Sequence, residues 1–219
     1  MRNDRLDVMS GWALLLGGVV GVVTHVLHPD EPKNAEQIRH YIQHTPAAHV
    51  GVGLGVLLML LGLPMLYARL SRSREGVTGG ITLMSLPLIF FGLALADGMH
   101  SPLEFGALPA IYRVVPDRTG EIYLAFSGTA YGALSTIGAV VLTLGMLLFV
   151  IGVWRSGALP RWPVWLVLGS LLCMAGAVAG VPMAGVMFAV LFYAGFGGYG
   201  ALMLRSATSD GGETAAAGE

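Results

Sequence analysis

The chain has 219 residues, of which 55% are hydrophobic and 11% charged, and its formal net charge is −1. Soluble domains carry about a quarter charged residues, so this composition, with a mean hydropathy of +0.72, excludes an ordinary soluble domain. The balanced charge gives no reason to expect nucleic acid as a partner. A single cysteine, Cys173, excludes a disulfide or a thiolate metal cluster within one chain.

Long apolar blocks without alternating polarity predict an all-α, polytopic membrane protein. A span needs about 20 apolar residues to cross roughly 30 Å of hydrocarbon. We predict six transmembrane helices in a bundle, within a membrane domain of residues 1–205 and followed by a disordered cytoplasmic tail at 206–219. The spans are expected near residues 9–27, 49–69, 79–99, 123–153, 163–180 and 183–204. The first block has no Ala-x-Ala cleavage site, so we interpret it as a retained span.

Arginine and lysine in the short loops predict the orientation of the bundle. One face would carry eight cationic residues and the other four, namely Lys33, Arg39, Arg113 and Arg118. Because the cationic loops remain inside, both termini are predicted to be cytoplasmic. In this topology all six histidines lie at the extracytoplasmic face.

The loop between the first two spans holds a predicted surface helix over residues 34–45. Asn34 is a suitable N-cap, and Pro46 ends the helix. Tyr41 and Ile42 belong to an apolar face expected at the lipid–water boundary. His40 and His44 have the spacing of a metal-binding pair, but we interpret them as a solvated helix face.

Six ionisable residues near the outer ends of the first three spans are candidate ligands of a transition metal. Imidazole nitrogen and carboxylate oxygen suit zinc, copper and iron, and ionisable groups at membrane depth usually face a cavity or one another. We expect His25, His49 and His100 as cofactor ligands in the leading hypothesis. The full candidate metal set is His25, His28, His49, Asp97, His100 and Glu104.

Haem b is the alternative cofactor to a simple metal ion. Two histidines on facing helices can ligate haem iron, and glycines beside them leave room for a porphyrin. Gly17, Gly18 and Gly21 precede His25, while Gly51 and Gly55 follow His49. Small residues also serve close helix packing in any membrane bundle, so the glycines fit both interpretations.

The same histidines also fit roles without a ligand. Imidazole rings are stable at a headgroup interface because they have an apolar body and a polar tip, and Asp97 can interact with His100 within one helix. A non-catalytic accessory subunit with interfacial or pH-responsive histidines, associating with other membrane subunits or with itself, is therefore the rival hypothesis. A small-solute transporter ranks last because it would favour charged groups at mid-membrane. The sequence identifies no catalytic residue.

Two stretches carry a resemblance to a family: "HPDEPKNAEQIRHYIQHTPAAHVGVGLGVLLMLLGLPMLYARL" at 28–70 and "SGALPRWPVWLVLGSLL" at 156–172. They resemble multi-span membrane proteins of high-GC actinobacteria whose function is unknown. In that pattern the first span ends in His-Pro, and the second opens with His and ends in Arg. The resemblance implies a six-span protein of the bacterial inner membrane and no particular activity; His100 has no counterpart in it.

Overall fold

The computed structural model describes residues 4–28, 37, 41–42, 46–72, 76–102, 106–156 and 159–216, and all its elements there are helical. This confirms the predicted all-α class for the described part of the chain. The α-helices are α1 (Asp4–Leu27), α2 (Pro46–Arg72), α3 (Gly76–Pro102), α4 (Leu108–Val114), α5 (Thr119–Ser127), α6 (Ala130–Ser156), α7 (Trp162–Val178) and α8 (Ala184–Ala216). A 3₁₀ turn, Pro116–Arg118, joins α4 to α5.

Four of these helices are long and apolar enough to cross a membrane. They comprise Arg5–Leu27, Ala48–Ala68, Ala130–Arg155 and Ala184–Ser206. Two further apolar stretches, Leu83–Asp97 in α3 and Trp162–Val178 in α7, are shorter. The 17 residues of α7 rise about 26 Å, close to the thickness of the hydrocarbon layer. The chain is thus a membrane protein by the length and composition of its helices.

The long helices form a closed ring in which each packs on two neighbours. Around the ring the order is α1, α2, α3, α6, α7, α8 and again α1. Helix α8 has the most buried span, and its Phe196 and Tyr199 reach across to Phe149 of α6, with ring centroids 5.4 and 5.5 Å apart. The core is therefore built around the aromatic side chains of α8.

Glycines allow α1 to approach α2 and α8 closely, in a contact we call the glycine seam: Gly18 and Gly21 of α1, Gly55 of α2, and Gly197 of α8. A Cβ at Gly18 would stand 2.7 Å from the Cα of Gly197, and one at Gly55 would stand 3.2 Å from the Cα of Gly21. A Cβ at Gly21 would overlap the ring of Tyr193. Such close backbone contact replaces the hydrophobic driving force that lipid does not supply between helices.

Large apolar side chains cover the outside of the ring. Met9, Val26, Leu61, Met84 and Phe91 each have at least 60% of their surface exposed. A soluble protein rarely carries so much exposed apolar surface, whereas lipid tails solvate it.

The fourth predicted span, 123–153, is not one helix. Helix α5 ends at Ser127 and α6 begins at Ala130. Gly128 lies at the break, and Thr129 caps α6 by accepting a 3.3 Å hydrogen bond from the backbone N–H of Tyr131. Glycine is a poor helix former and threonine a good N-cap, so local preference interrupts the apolar run.

A short turn joins α7 to α8. Gly180 has φ +78°, and the N–H of Val181 donates to the carbonyl of Gly176 at 2.9 Å, which closes the end of α7 in a Schellman arrangement. Met183 also lies in the left-handed region, with φ +61°.

Beyond the last span the structure differs from the disordered tail expected from residue 206. The backbone of α8 continues as a helix to Ala216. Alanine, the best helix former, occurs at 207 and again at 215 and 216, which favours continuation.

Candidate functional site

The last turn of α1 fixes the ring of His25. Its Nδ1 lies 2.8 Å from the carbonyl oxygen of Gly21, one turn earlier. A carbonyl oxygen only accepts hydrogen bonds, so Nδ1 carries the proton and, in the neutral ring, Nε2 keeps its electron pair. A backbone carbonyl on the far nitrogen is the arrangement that orients histidines for metal binding.

Three side chains converge where α1 ends and α2 begins. Nε2 of His28 lies 2.9 Å from Nε2 of His49, and the hydroxyl of Tyr41 lies 2.8 Å from Nε2 of His49 and 3.3 Å from Nε2 of His28. His49 is only 3% exposed and Tyr41 only 4%. We call these three residues the donor triad.

Hydrogen bonds alone do not satisfy all three edges of the donor triad. Each facing Nε2 has either one proton or one electron pair, and the hydroxyl of Tyr41 has a single proton. If His28 donates to Tyr41 and Tyr41 donates to His49, the 2.9 Å contact between the two imidazole nitrogens has no proton of its own. The three atoms are close enough to one another to share a proton or a cation.

The dimensions of the triad fit a metal ion. Donors at 2.0–2.1 Å from one ion stand about 2.9 Å apart at right angles and about 3.3 Å apart at tetrahedral angles. The observed edges of 2.8, 2.9 and 3.3 Å lie in or next to this range. The spacings of the three atoms are therefore close to those of three donors to one ion.

The triad only partly matches the ligands predicted from sequence. His28 and His49 both belong to the predicted metal set, and their Nε2 atoms lie 2.9 Å apart. His25, also in that set, lies beside His28 with 6.4 Å between ring centroids. Within the described ranges, no group of three or more His, Cys, Asp or Glu side chains is placed to hold a metal. The third polar side chain of the triad is a tyrosine, Tyr41.

Other predicted candidates lie elsewhere or outside the description. Asp97 lies near the end of α3. The backbone of His100 belongs to α3, but its side chain is outside what the structure describes. Glu104, His40 and His44 also lie outside the described residues, so their roles stay predictions.

Tyr41 was expected at the lipid–water boundary together with Ile42, and the structure shows both buried in protein instead. Ile42 and Leu108 form a small satellite cluster with Tyr112, Tyr123 and Tyr131 packed around it. This cluster joins the first loop to the segment that follows α3.

Neighbouring helices pack directly against the glycines beside the histidines. Added Cβ atoms would meet Met59 and Leu58 at Gly17, the side chain of Thr24 at Gly51, and Leu142 at Gly92. Gly21 lies against Tyr193. Helix packing therefore accounts for these glycines, and haem b stays a prediction.

Family models, curated proteins and solved structures were each compared with the chain, and none of them matches it. The resemblance to the actinobacterial multi-span proteins stays a prediction. The geometry of the site is accordingly the basis for assigning a function.

Proposed function

We propose that this chain is a membrane protein that binds one transition-metal ion through His28, Tyr41 and His49. The convergence of Nε2, Nε2 and a phenol oxygen within 2.8–3.3 Å of one another carries the proposal. Imidazole nitrogens suit zinc, copper and iron, and the phenol adds an oxygen that becomes anionic when it binds.

Three protein donors leave at least one coordination position for water or a substrate, as in catalytic rather than structural zinc sites. The ring of His25 is stacked beside that of His28, with centroids 6.4 Å apart, and its Nε2 keeps an electron pair. We propose His25 as the residue that binds a metal-bound water or completes the coordination sphere. Asp97 and the sequence candidates His100 and Glu104 stay proposed contributors from α3 and the loop that follows it.

Metal analysis of purified protein tests this proposal. We expect about one zinc, copper or iron ion per chain after dialysis, and no Soret band in the visible spectrum. His49→Ala should weaken binding by more than the roughly 10–100-fold that loss of an outer hydrogen-bond partner costs. Tyr41→Phe removes the oxygen donor of the triad. Its matched control is Tyr131→Phe, which changes a tyrosine of the satellite cluster and should bind metal like the wild type.

The rival hypothesis is an accessory subunit whose histidines respond to pH. Protonation of both imidazoles would place two positive charges at the 2.9 Å contact between His28 and His49, which favours separation of the two helix ends. Two results together would favour the accessory subunit over the metal site. Wild-type protein would neither carry nor bind a metal, and the spacing of the two helix ends would change at low pH.

For the membrane arrangement we propose six spans, with both termini on the cytoplasmic side of a bacterial inner membrane. The eight-to-four excess of cationic residues and the closed ring that includes α3 and α7 support this topology. In a Cys173→Ser background, an impermeant thiol reagent should label Asp117→Cys on intact cells. It should label Arg5→Cys only after the membrane is opened, and the reverse pattern would contradict the topology.

A further inference from the structure

Two arginines lie where α6 ends and α7 begins, and neither has an acidic partner. Arg155 belongs to the last turn of α6, Arg161 immediately precedes α7, and both side chains are exposed. Neither forms an ion pair with any residue that the structure describes. No Asp or Glu occurs in the sequence between Glu121 and Asp210, so the stretch that contains α6, α7 and the span of α8 offers no carboxylate.

The acidic residues near the end of α8 lie too far along that helix to neutralise this loop. The carbonyl oxygen of Pro160 accepts a 3.3 Å hydrogen bond from the hydroxyl of Tyr199, which places the loop close to that part of α8. The helix continues from there to Asp210 and beyond, and 11 residues of α-helix rise about 16 Å. The two positive charges therefore need an anion from outside the chain.

Three of the four tryptophans surround these arginines. The rings of Trp154 and Trp165 meet edge to face, with centroids 4.8 Å apart. The guanidinium carbon of Arg161 lies 5.5 Å from the centre of the Trp154 ring, and its Nη2 donates to the carbonyl oxygen of Trp154 at 3.5 Å. A guanidinium has five N–H groups, so most of those on Arg161 can still bind a ligand.

The tryptophan rings themselves are turned toward the surroundings of the bundle. Trp154 is 40% exposed, Trp162 51% and Trp165 54%. Tryptophan is enriched at the level of the lipid headgroups, because its ring is apolar and its indole N–H is polar. We call Trp154, Arg155, Arg161, Trp162 and Trp165 the arginine–tryptophan patch.

We propose that the arginine–tryptophan patch binds the headgroup phosphate of an anionic phospholipid. The planar guanidinium matches two phosphate oxygens at once, and the exposed rings pack on the glycerol and the first methylenes of the lipid. Basic side chains at the end of a membrane span attract anionic lipids by about fivefold each. This site lies outside the donor triad and does not depend on the metal proposal.

Tryptophan fluorescence tests the proposal, because most of the tryptophans belong to the patch. In a Trp12→Phe background the protein is placed in phosphatidylcholine bilayers that contain chain-brominated phosphatidylglycerol or, separately, chain-brominated phosphatidylcholine. Bromine quenches the emission of tryptophans it contacts, and we expect the anionic lipid to do so at a lower mole fraction. Equal quenching by the two lipids would overturn the proposal.

Charge variants identify the residues that produce this preference. Arg155→Gln and Arg161→Gln should each lower the preference for phosphatidylglycerol about fivefold. Arg113→Gln removes the same charge from an exposed residue of α4 and is the matched control, which should keep the wild-type preference. An equal loss in the control would show that overall charge, not the patch, attracts the lipid.

Arg161→Lys keeps the positive charge but removes the planar guanidinium, so it should retain only part of the preference. Full retention would contradict recognition of phosphate by the guanidinium.

Soluble glycerol phosphate separates a lipid headgroup from a free phosphate ester. Added at millimolar concentration, it should leave the quenching by brominated phosphatidylglycerol unchanged, because the lipid also contributes its chains. If glycerol phosphate restores the emission, the patch recognises a soluble phosphate and the lipid proposal is wrong.

Discussion

Helix α1 is held in two different ways along its length. Through the glycine seam, Gly18 and Gly21 bring it against α8 and α2 by fit of shape alone. At its outer end, His28 contacts His49 and Tyr41 through polar atoms. The seam should therefore tolerate no added atoms, whereas the donor triad should tolerate changes of shape better than the loss of a nitrogen or oxygen.

The largest effect is expected from filling the seam. Gly21→Val places a branched side chain against the ring of Tyr193 and should lower the free energy of unfolding by about 3 kcal/mol. Unfolding in mixed SDS micelles measures this change. Gly185→Ala is the control, since an added Cβ there meets nothing within 4 Å. Equal stability of the two variants would show that the seam is not closely packed.

A smaller effect is expected from the triad in metal-free protein. His49→Ala leaves Tyr41 and His28 without their shared contact and should cost about 1–3 kcal/mol in the presence of a chelator. The same unfolding assay should show a larger difference once metal is added, because only the wild type gains binding energy. If added metal stabilises both proteins equally, the metal binds elsewhere.

In the turn between α7 and α8, a third kind of constraint applies: backbone conformation determines which substitutions the turn tolerates. Gly180→Ala should lower stability by about 1 kcal/mol, because φ +78° is unfavourable for a residue with a Cβ. Met183→Gly should raise stability by a similar amount, since its φ of +61° no longer strains the backbone. Shifts of the same sign in both variants would contradict this interpretation of the turn.

The sequence predicted the helices that form the glycine seam better than it predicted the donor triad. The apolar runs indicated helices α1, α2 and α8 because apolar composition is a local property of the chain. The histidines at the ends of α1 and α2 were also apparent, and the structure joins His28 with His49. Tyr41 was assigned to the wrong environment: it is buried, and its neighbour Ile42 packs with Leu108 of α4, a contact between segments far apart in sequence.

The break in the fourth span had a local signal that the apolar run concealed. Gly128 followed by Thr129 is a typical helix end and start, yet the flanking residues 123–153 are apolar throughout most of their length. The hydroxyl of Tyr193 has no hydrogen-bond partner among the described residues, and nothing in the sequence indicated this, because it arises from the packing of α8 on Gly21 and His25.

X-ray absorption at the edge of the bound metal tests the central claim most directly. For wild-type protein we predict nitrogen and oxygen neighbours only, at about 2.0–2.1 Å, with the outer-shell scattering of two imidazole rings. Tyr41→Phe should lose one oxygen neighbour and keep both imidazoles. A sulfur neighbour at about 2.3 Å, or a spectrum without imidazole scattering, would contradict binding by His28, Tyr41 and His49.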